Sequence, residues 1–175
     1  MQLTGKITRL ALACTAALFL TFGSLQAQRI AVVDINQVLE GLSDYTQAQK
    51  ELDQLAATWR QDIAKEYDQI KSMYNRYQTE QVLLSDDARR QREDDIMAAE
   101  TRVRELQKSK FGPEGALFEK RRDLVQPIQD RVYRAIEDYA SERGFDFVLD
   151  KGAAAGLLFS AEKHDKTADI LARLK

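Results

Sequence analysis

The chain has 175 residues, with 26 Lys and Arg against 28 Asp and Glu, one His and one Cys, for a net charge of −2. That length suits one domain, and the lack of a basic excess argues against a nucleic-acid partner. Charged residues make up 31% of the chain with both signs interleaved, as on a long solvated helix.

Lys6 and Arg9 precede an apolar run from Leu10 to Phe22, and Leu25-Gln26-Ala27 follows. This pattern predicts a signal peptide over 1–27, cleaved near Ala27; Leu25 is a less usual residue at its position, so the cut is placed to within a few residues. The apolar run falls short of the about 20 residues a membrane-spanning helix needs. A lipoprotein acylated at Cys14 is the competing reading, and Ile7 to Ala13 is a thin apolar stretch for it. Cleavage leaves residues 28–175, with 24 basic and 28 acidic residues and no cysteine. An exported chain without disulfides must be held by its core, by assembly, or by both.

Arg29 to Val33 is apolar and β-branched and predicts a short strand. Asp34 to Leu42 reads as a short helical turn stopped at Gly41. From Ser43 to Lys110 the chain has neither glycine nor proline. Ser43 or Asp44 can cap a long helix there, whose apolar positions run Tyr45, Ala48, Leu52, Leu55, Trp59, Ile63, Tyr67, Ile70, Tyr74 and Tyr77. Their spacing averages about 3.56 residues, between the 3.5 of a left-handed coiled coil and the 3.6 of a straight helix. The stripe falters at Gln78 to Ser85, and Ser85 or Asp86 offers a fresh cap, so a helical hairpin is expected to turn near 82–86. The returning helix carries Ala88, Ile96, Ala99, Val103 and Leu106. At 1.5 Å per residue such an arm is roughly 50 Å long and must protrude.

Phe111-Gly-Pro-Glu-Gly115 should break the returning helix, which resumes through Leu124, Ile128, Val132, Ile136 and Tyr139, with a bend expected at Pro127, and ends at Gly144. Phe145, Phe147 and Leu149 alternate as in a strand, and Leu157 to Phe159 is a further strand candidate. Asp165 can cap a last helix bearing Ile170, Leu171 and Leu174. The body core is expected from Ile30, Val32, Phe145, Phe147, Leu149, Leu157 and Phe159. So few short strands rarely stand alone, which points to assembly with further copies.

No catalytic constellation emerges. His164 lies in a polar run and reads as an exposed loop residue. Asp34 and Asp150 both end strands and could meet as paired carboxylates, but turn and cap roles suit them better. Gly152 to Gly156 lacks the Lys and Ser or Thr of a phosphate loop. Asp86, Asp87, Glu93, Asp94 and Asp95 lack calcium-loop spacing and lie among arginines, as on a solvated face. No cofactor or metal is expected. Tyr67, Met73, Tyr74, Tyr77, Val82, Leu83 and Leu84 cluster towards the arm tip; they either pack the hairpin or present an adaptable apolar surface to a client.

The opening Arg29-Ile-Ala-Val-Val-Asp34, the long charged hairpin, the helix from Leu124 to Val132, Gly144-Phe-Asp-Phe-Val-Leu-Asp150 and the closing Asp165-Lys-Thr-Ala-Asp-Ile-Leu171 together resemble the Skp (OmpH-like) periplasmic chaperones. The resemblance covers essentially the whole chain after residue 27. It implies an α+β, predominantly α fold: a long antiparallel helical hairpin on a small β body that assembles as a homotrimer. The body would comprise 28–43 and about 116–175, and the arm about 44–115. It further implies an ATP-independent holdase, not an enzyme, that binds unfolded outer-membrane proteins in the periplasm and keeps them from aggregating.

Two features depart from that pattern. Some family members are strongly basic, whereas Lys71 to Lys110 here holds nine basic and eight acidic residues, which argues against strong membrane lipid or lipopolysaccharide contact. Gly112, Pro113 and Gly115 form a break that the family need not have, and they are expected to act as a hinge between body and arm. The alternative to a holdase is a structural helical spacer of the cell envelope that binds one folded partner.

Overall fold

The computed structural model describes residues 28–153 and 157–175; the expected signal segment lies outside them. Strand β1 covers Ile30–Val33. Asp34 follows it, and its carboxylate accepts the Gln37 N–H at 3.0 Å, capping helix α1, Ile35–Glu40, which stops at Gly41.

Helix α2, Ser43–Glu80, runs 38 residues without interruption, about 57 Å at the standard rise. Its cap differs from expectation. Leu42, not Ser43 or Asp44, occupies the cap position, and no side chain caps the helix. Burial of Leu42 among Val38, Leu39 and Ala48 fixes the helix start by packing instead. The Asp44 carboxylate is left free to reach Arg131 across the body at 2.5 Å.

Helix α3, Asp86–Phe111, returns after a tight turn, with the Ser85 hydroxyl accepting the Ala88 N–H and Asp86 and Asp87 in its first turn. The helical ladder stops at Phe111 and restarts as helix α4, Ala116–Arg143. Four residues make the break: the Gly112 N–H reaches the Lys108 carbonyl at 2.8 Å and the Gly115 N–H reaches the Gly112 carbonyl at 2.9 Å. Helix α4 continues through Pro127 as one element, since a proline removes one ladder hydrogen bond but neighbouring turns hold.

Gly144 ends α4 at φ 66, in left-handed backbone that favours glycine. The Phe145 N–H reaches back to the Ala140 carbonyl at 2.9 Å, completing a Schellman-type close. Phe145 therefore belongs to the helix stop, where its ring stacks on Tyr139 at 6.0 Å, and strand β2 starts two residues later as Phe147–Asp150. It pairs in parallel with β1, Ile30 beside Phe147 and Val33 beside Asp150. Leu157 to Phe159 is not a strand here: no edge of the described sheet pairs with it, and Leu158 and Phe159 are exposed. A short 3-10 turn, Glu162–His164, leads to helix α5, Thr167–Leu174.

The ends of the chain are tied together by hydrogen bonds at the β1–α1 corner. The Asp34 N–H donates to the Thr167 hydroxyl at 2.9 Å, and the Lys166 N–H donates to the Val32 carbonyl at 2.8 Å. Thr167 is the one buried polar side chain among the described residues. The Asp-x-Thr ending that the sequence shows is thus a lock between the last helix and the first strand.

Two separate apolar clusters result. The first joins Val33, Val38, Leu39, Leu42 and Ala48 to Ile128, Val132, Tyr139 and Ile170. The second lies far along the hairpin and consists of Ile63, Ile70, Ala99 and Val103, with Met73, Leu106 and Phe111 against it. Helix α2 serves both. Near the body it packs on α4, aided by an Asp44–Arg131 ion pair and by Lys120 at 2.9 Å from Glu51; beyond the break it packs on α3.

The sheet faces the opposite way from the expectation. Ala31, Val33 and Val148 point to the core, while Ile30, Phe147 and Leu149 lie exposed on the other side. Only Val32 on that outer face is covered, where Asp165 bridges to it. The helices fill their side of the sheet with Val38, Val132 and Ile170, leaving room for small strand residues only. Leu157 is half-buried and Phe159 exposed, so neither joins the core either.

Candidate functional site

The seven residues expected near the tip divide into two groups. Tyr67, Tyr74 and Tyr77 stand on the flank of the hairpin seam and send their hydroxyls across to α3. Tyr67 donates to Gln107 at 3.4 Å, Tyr74 to Glu100 at 2.8 Å, and Tyr77 to Glu93. The hydrogen bond to a carboxylate raises the pKa of both Tyr74 and Tyr77, because the phenol must stay protonated to donate. Met73 packs partly buried against the Ile63 cluster. Val82 and Leu83, in contrast, are 81% and 85% exposed in the turn, and Leu84 is half-buried beside them. The tip therefore presents two bare aliphatic side chains, and the tyrosines present ring faces with their polar ends tied.

The break forms a second locus. Phe111, the last residue of α3, sets its ring edge-on to Trp59 of α2, with centroids 6.1 Å apart at 84°. The Arg60 guanidinium lies 5.7 Å from the Phe111 ring and the Lys110 ammonium 4.7 Å from the Trp59 ring. Gly112, Pro113 and Gly115 line a recess beside this cluster together with Glu105, Lys108 and Glu114. A Cβ at Gly112 would fall 2.4 Å from the Lys108 carbonyl oxygen, so the turn is closed as tightly as glycine allows.

The third locus is the outer face of the sheet. Ile30, Leu149, Leu157, Phe159 and His164 line a recess of about 450 Å³ there. His164 is half-buried rather than free in a loop: its Nδ1 lies 3.0 Å from the Ile30 carbonyl oxygen, so Nδ1–H is the donor. Asp34 and Asp150 serve local roles, Asp34 capping α1 and Asp150 accepting the Gly152 N–H at 3.0 Å. Among the described residues, no three His, Cys, Asp or Glu side chains gather as a metal site, and no helix is long and apolar enough to cross a membrane.

Several exposed apolar residues escaped the sequence reading. Met97, Phe118 and Tyr133 stand at 50–60% exposure on the helices. Met97 directly follows the buried stripe residue Ile96, so it sits out of phase with the seam; such phase errors were the available signal. Phe147 and Leu149 alternate as a strand should, but on the face turned away from the helices.

Three comparisons bear on what this surface belongs to. The chaperone protein Skp of Yersinia enterocolitica is 26% identical over 170 residues, covering 93% of this chain and 97% of that protein. The crystal structure of an OmpH-like outer membrane chaperone from Caulobacter crescentus superposes with a TM-score of 0.69 at 9% identity, over 85% of this chain and 84% of that one. At that identity the likeness speaks for the fold: a long helical hairpin rising from a small strand pair. Residues 29–174 match the model of the outer membrane protein (OmpH-like) family, and the chain belongs to that family.

Proposed function

We propose that this protein is an ATP-independent holdase of the periplasm that assembles as a homotrimer and shields unfolded outer-membrane proteins from aggregation. The observation that carries the reading is the unmet apolar surface at both ends of the molecule. Ile30, Phe147 and Leu149 face away from their own core, and Val82 and Leu83 stand bare at the far end of a 38-residue helix. Family membership and the name of the Yersinia relative support a chaperone rather than a spacer.

The body face suits contact with further copies. A two-stranded parallel sheet is not a stable unit alone, since parallel sheets are normally covered on both faces. The arm suits weak, multi-point client contact, which gives avidity without a deep pocket. Tyr67, Met73, Tyr74, Tyr77, Val82, Leu83 and Leu84 remain the client-contact residues, the tyrosines through their ring faces. Gly112, Pro113 and Gly115 form the hinge between body and arm.

The test is dilution of urea-unfolded β-barrel proteins into buffer with and without the chain starting at Gln28. At comparable concentration it should abolish most of the light scattering from several unrelated barrels. No suppression leaves the spacer reading, and a monomeric mass by light scattering removes the assembly.

A further inference from the structure

The cluster at the break is more than a joint. The chain starting at Gln28 carries an acidic excess, yet three cations here pair with no acid, although Glu105 and Glu114 line the adjoining recess with Lys108. Arg60, Lys108 and Lys110 form no ion pair within 4 Å among the described residues, and Arg104 is held only at 3.7 Å by Glu100. Two adjoining grooves of about 200 and 310 Å³ share Gln107 and Phe111; Arg60 and Ile63 complete one, and Arg104, Lys108 and Gly112 the other. Cationic heads therefore flank the Phe111 ring, in one groove between α2 and α3 and a second along the end of α3.

We propose that these grooves are a binding subsite for acidic, aromatic-bearing segments of an unfolded polypeptide. The inference rests on the holdase reading and adds the chemistry of what is held. An Arg guanidinium offers a planar fork that pairs a carboxylate through two hydrogen bonds. Arg60 is already braced over Phe111, so little freedom is lost when it takes one. The adjoining groove has the volume for one or two side chains, and Phe111 in its lining offers apolar contact for a client ring. Charge complementarity decides the occupant. The remainder of this acidic chain repels an acidic segment, and the unpaired cations at the break offset that locally. A membrane surface fits poorly: the grooves are side-chain sized, and the net negative charge gives no long-range pull towards anionic lipid.

Trp59 is the only tryptophan in the chain and reports on the site directly. The experiment titrates the chain from Gln28 with three twelve-residue peptides at low salt: alternating Glu and Phe, alternating Lys and Phe, and alternating Glu and Ser. The Glu/Phe peptide should shift Trp59 emission and the other two should not. The variant R60Q/K108Q, which leaves Trp59 and its neighbour Lys110 intact, should bind that peptide about fivefold more weakly, as two solvated charge contacts allow. Addition of 0.5 M NaCl should weaken the parent protein similarly. Far-UV circular dichroism and melting confirm that the variant is folded. Equal binding of the Glu/Phe and Lys/Phe peptides, or an unaffected variant, overturns the proposal. So does an emission shift with phosphatidylglycerol vesicles but none with peptide. The scattering assay on the same samples separates the two claims: suppression without charge discrimination leaves the holdase standing and removes the subsite, while peptide capture without suppression does the reverse.

Discussion

Two apolar clusters on one long helix predict two levels of stability, and a matched pair of substitutions measures them. Val103 is 2% exposed in the distal seam and Val132 is 0% exposed in the body. Val→Ala at either position removes two methyl groups. Their transfer is worth about 1.6 kcal/mol at about 0.8 per group, and the residual cavity raises the loss to about 2–3 kcal/mol. The effect should differ in place. The distal cluster has four buried side chains, and the seam ties to the body through α2 and the four-residue break. V103A should therefore open the hairpin beyond Trp59 and leave the sheet closed. V132A should loosen β1, α1 and α5 together, because Val132 sits in the cluster that joins them. Hydrogen exchange read by mass spectrometry resolves this. A 2 kcal/mol loss lowers protection about 30-fold where opening is local. Distal amides of α2 and α3 should lose that factor in V103A while α5 keeps its protection. Equal loss of protection in α5 and in the distal seam would refute the separation, showing one cooperative unit.

Further outcomes follow from single contacts. Gly112→Ala places a Cβ 2.4 Å from a backbone carbonyl that cannot swing aside, so the break must reopen; Trp59 emission should move to longer wavelength as Phe111 withdraws, and an unchanged spectrum contradicts the tight turn. Gly144→Ala forces a side chain into φ 66 and should cost about 1–2 kcal/mol, seen as a lower melting temperature. Asp165 has its pKa lowered by the Thr167 hydroxyl, then by the Thr167 N–H and by Lys151 at 3.2 Å. A depressed folded pKa means stability that is present above the ordinary aspartate value of about 3.9 and lost as pH falls through the lower folded value. The stability gap between the parent and Asp165→Asn should be full at pH 6 and shrink below pH 4; a gap that stays constant to pH 2 removes that role.

The hairpin was legible because its signals are local. A stripe with near-helical spacing, a serine cap at Ser85 and the Gly112-Pro-Glu-Gly115 break each act within a few residues of themselves. The body was half legible. Alternation in Phe147 to Asp150 announces two faces but cannot say which one the helices will cover. That depends on the volume of Val38, Val132 and Ile170, which come from three other elements. Leu157 to Phe159 has strand composition, but a strand also needs a partner edge, and composition does not supply one. The tyrosine hydroxyls find their acceptors 16 to 40 residues away, beyond any local pattern. Leu42 took the cap position because packing outweighed the modest gain a Ser or Asp cap brings.

The parallel pairing of β1 with β2 joins positions 117 residues apart. Everything between leaves the sheet and comes back to it, so the hairpin is in effect a long insertion into a small closed ring of contacts. Its length is then a free parameter. Seven residues added to each leg would extend the reach by about 10 Å without altering a strand, a cap or the Thr167 lock. Unequal additions would slide the tyrosines off their acceptors and be penalised. Such an architecture lets the length of the arm be set apart from the base that holds it.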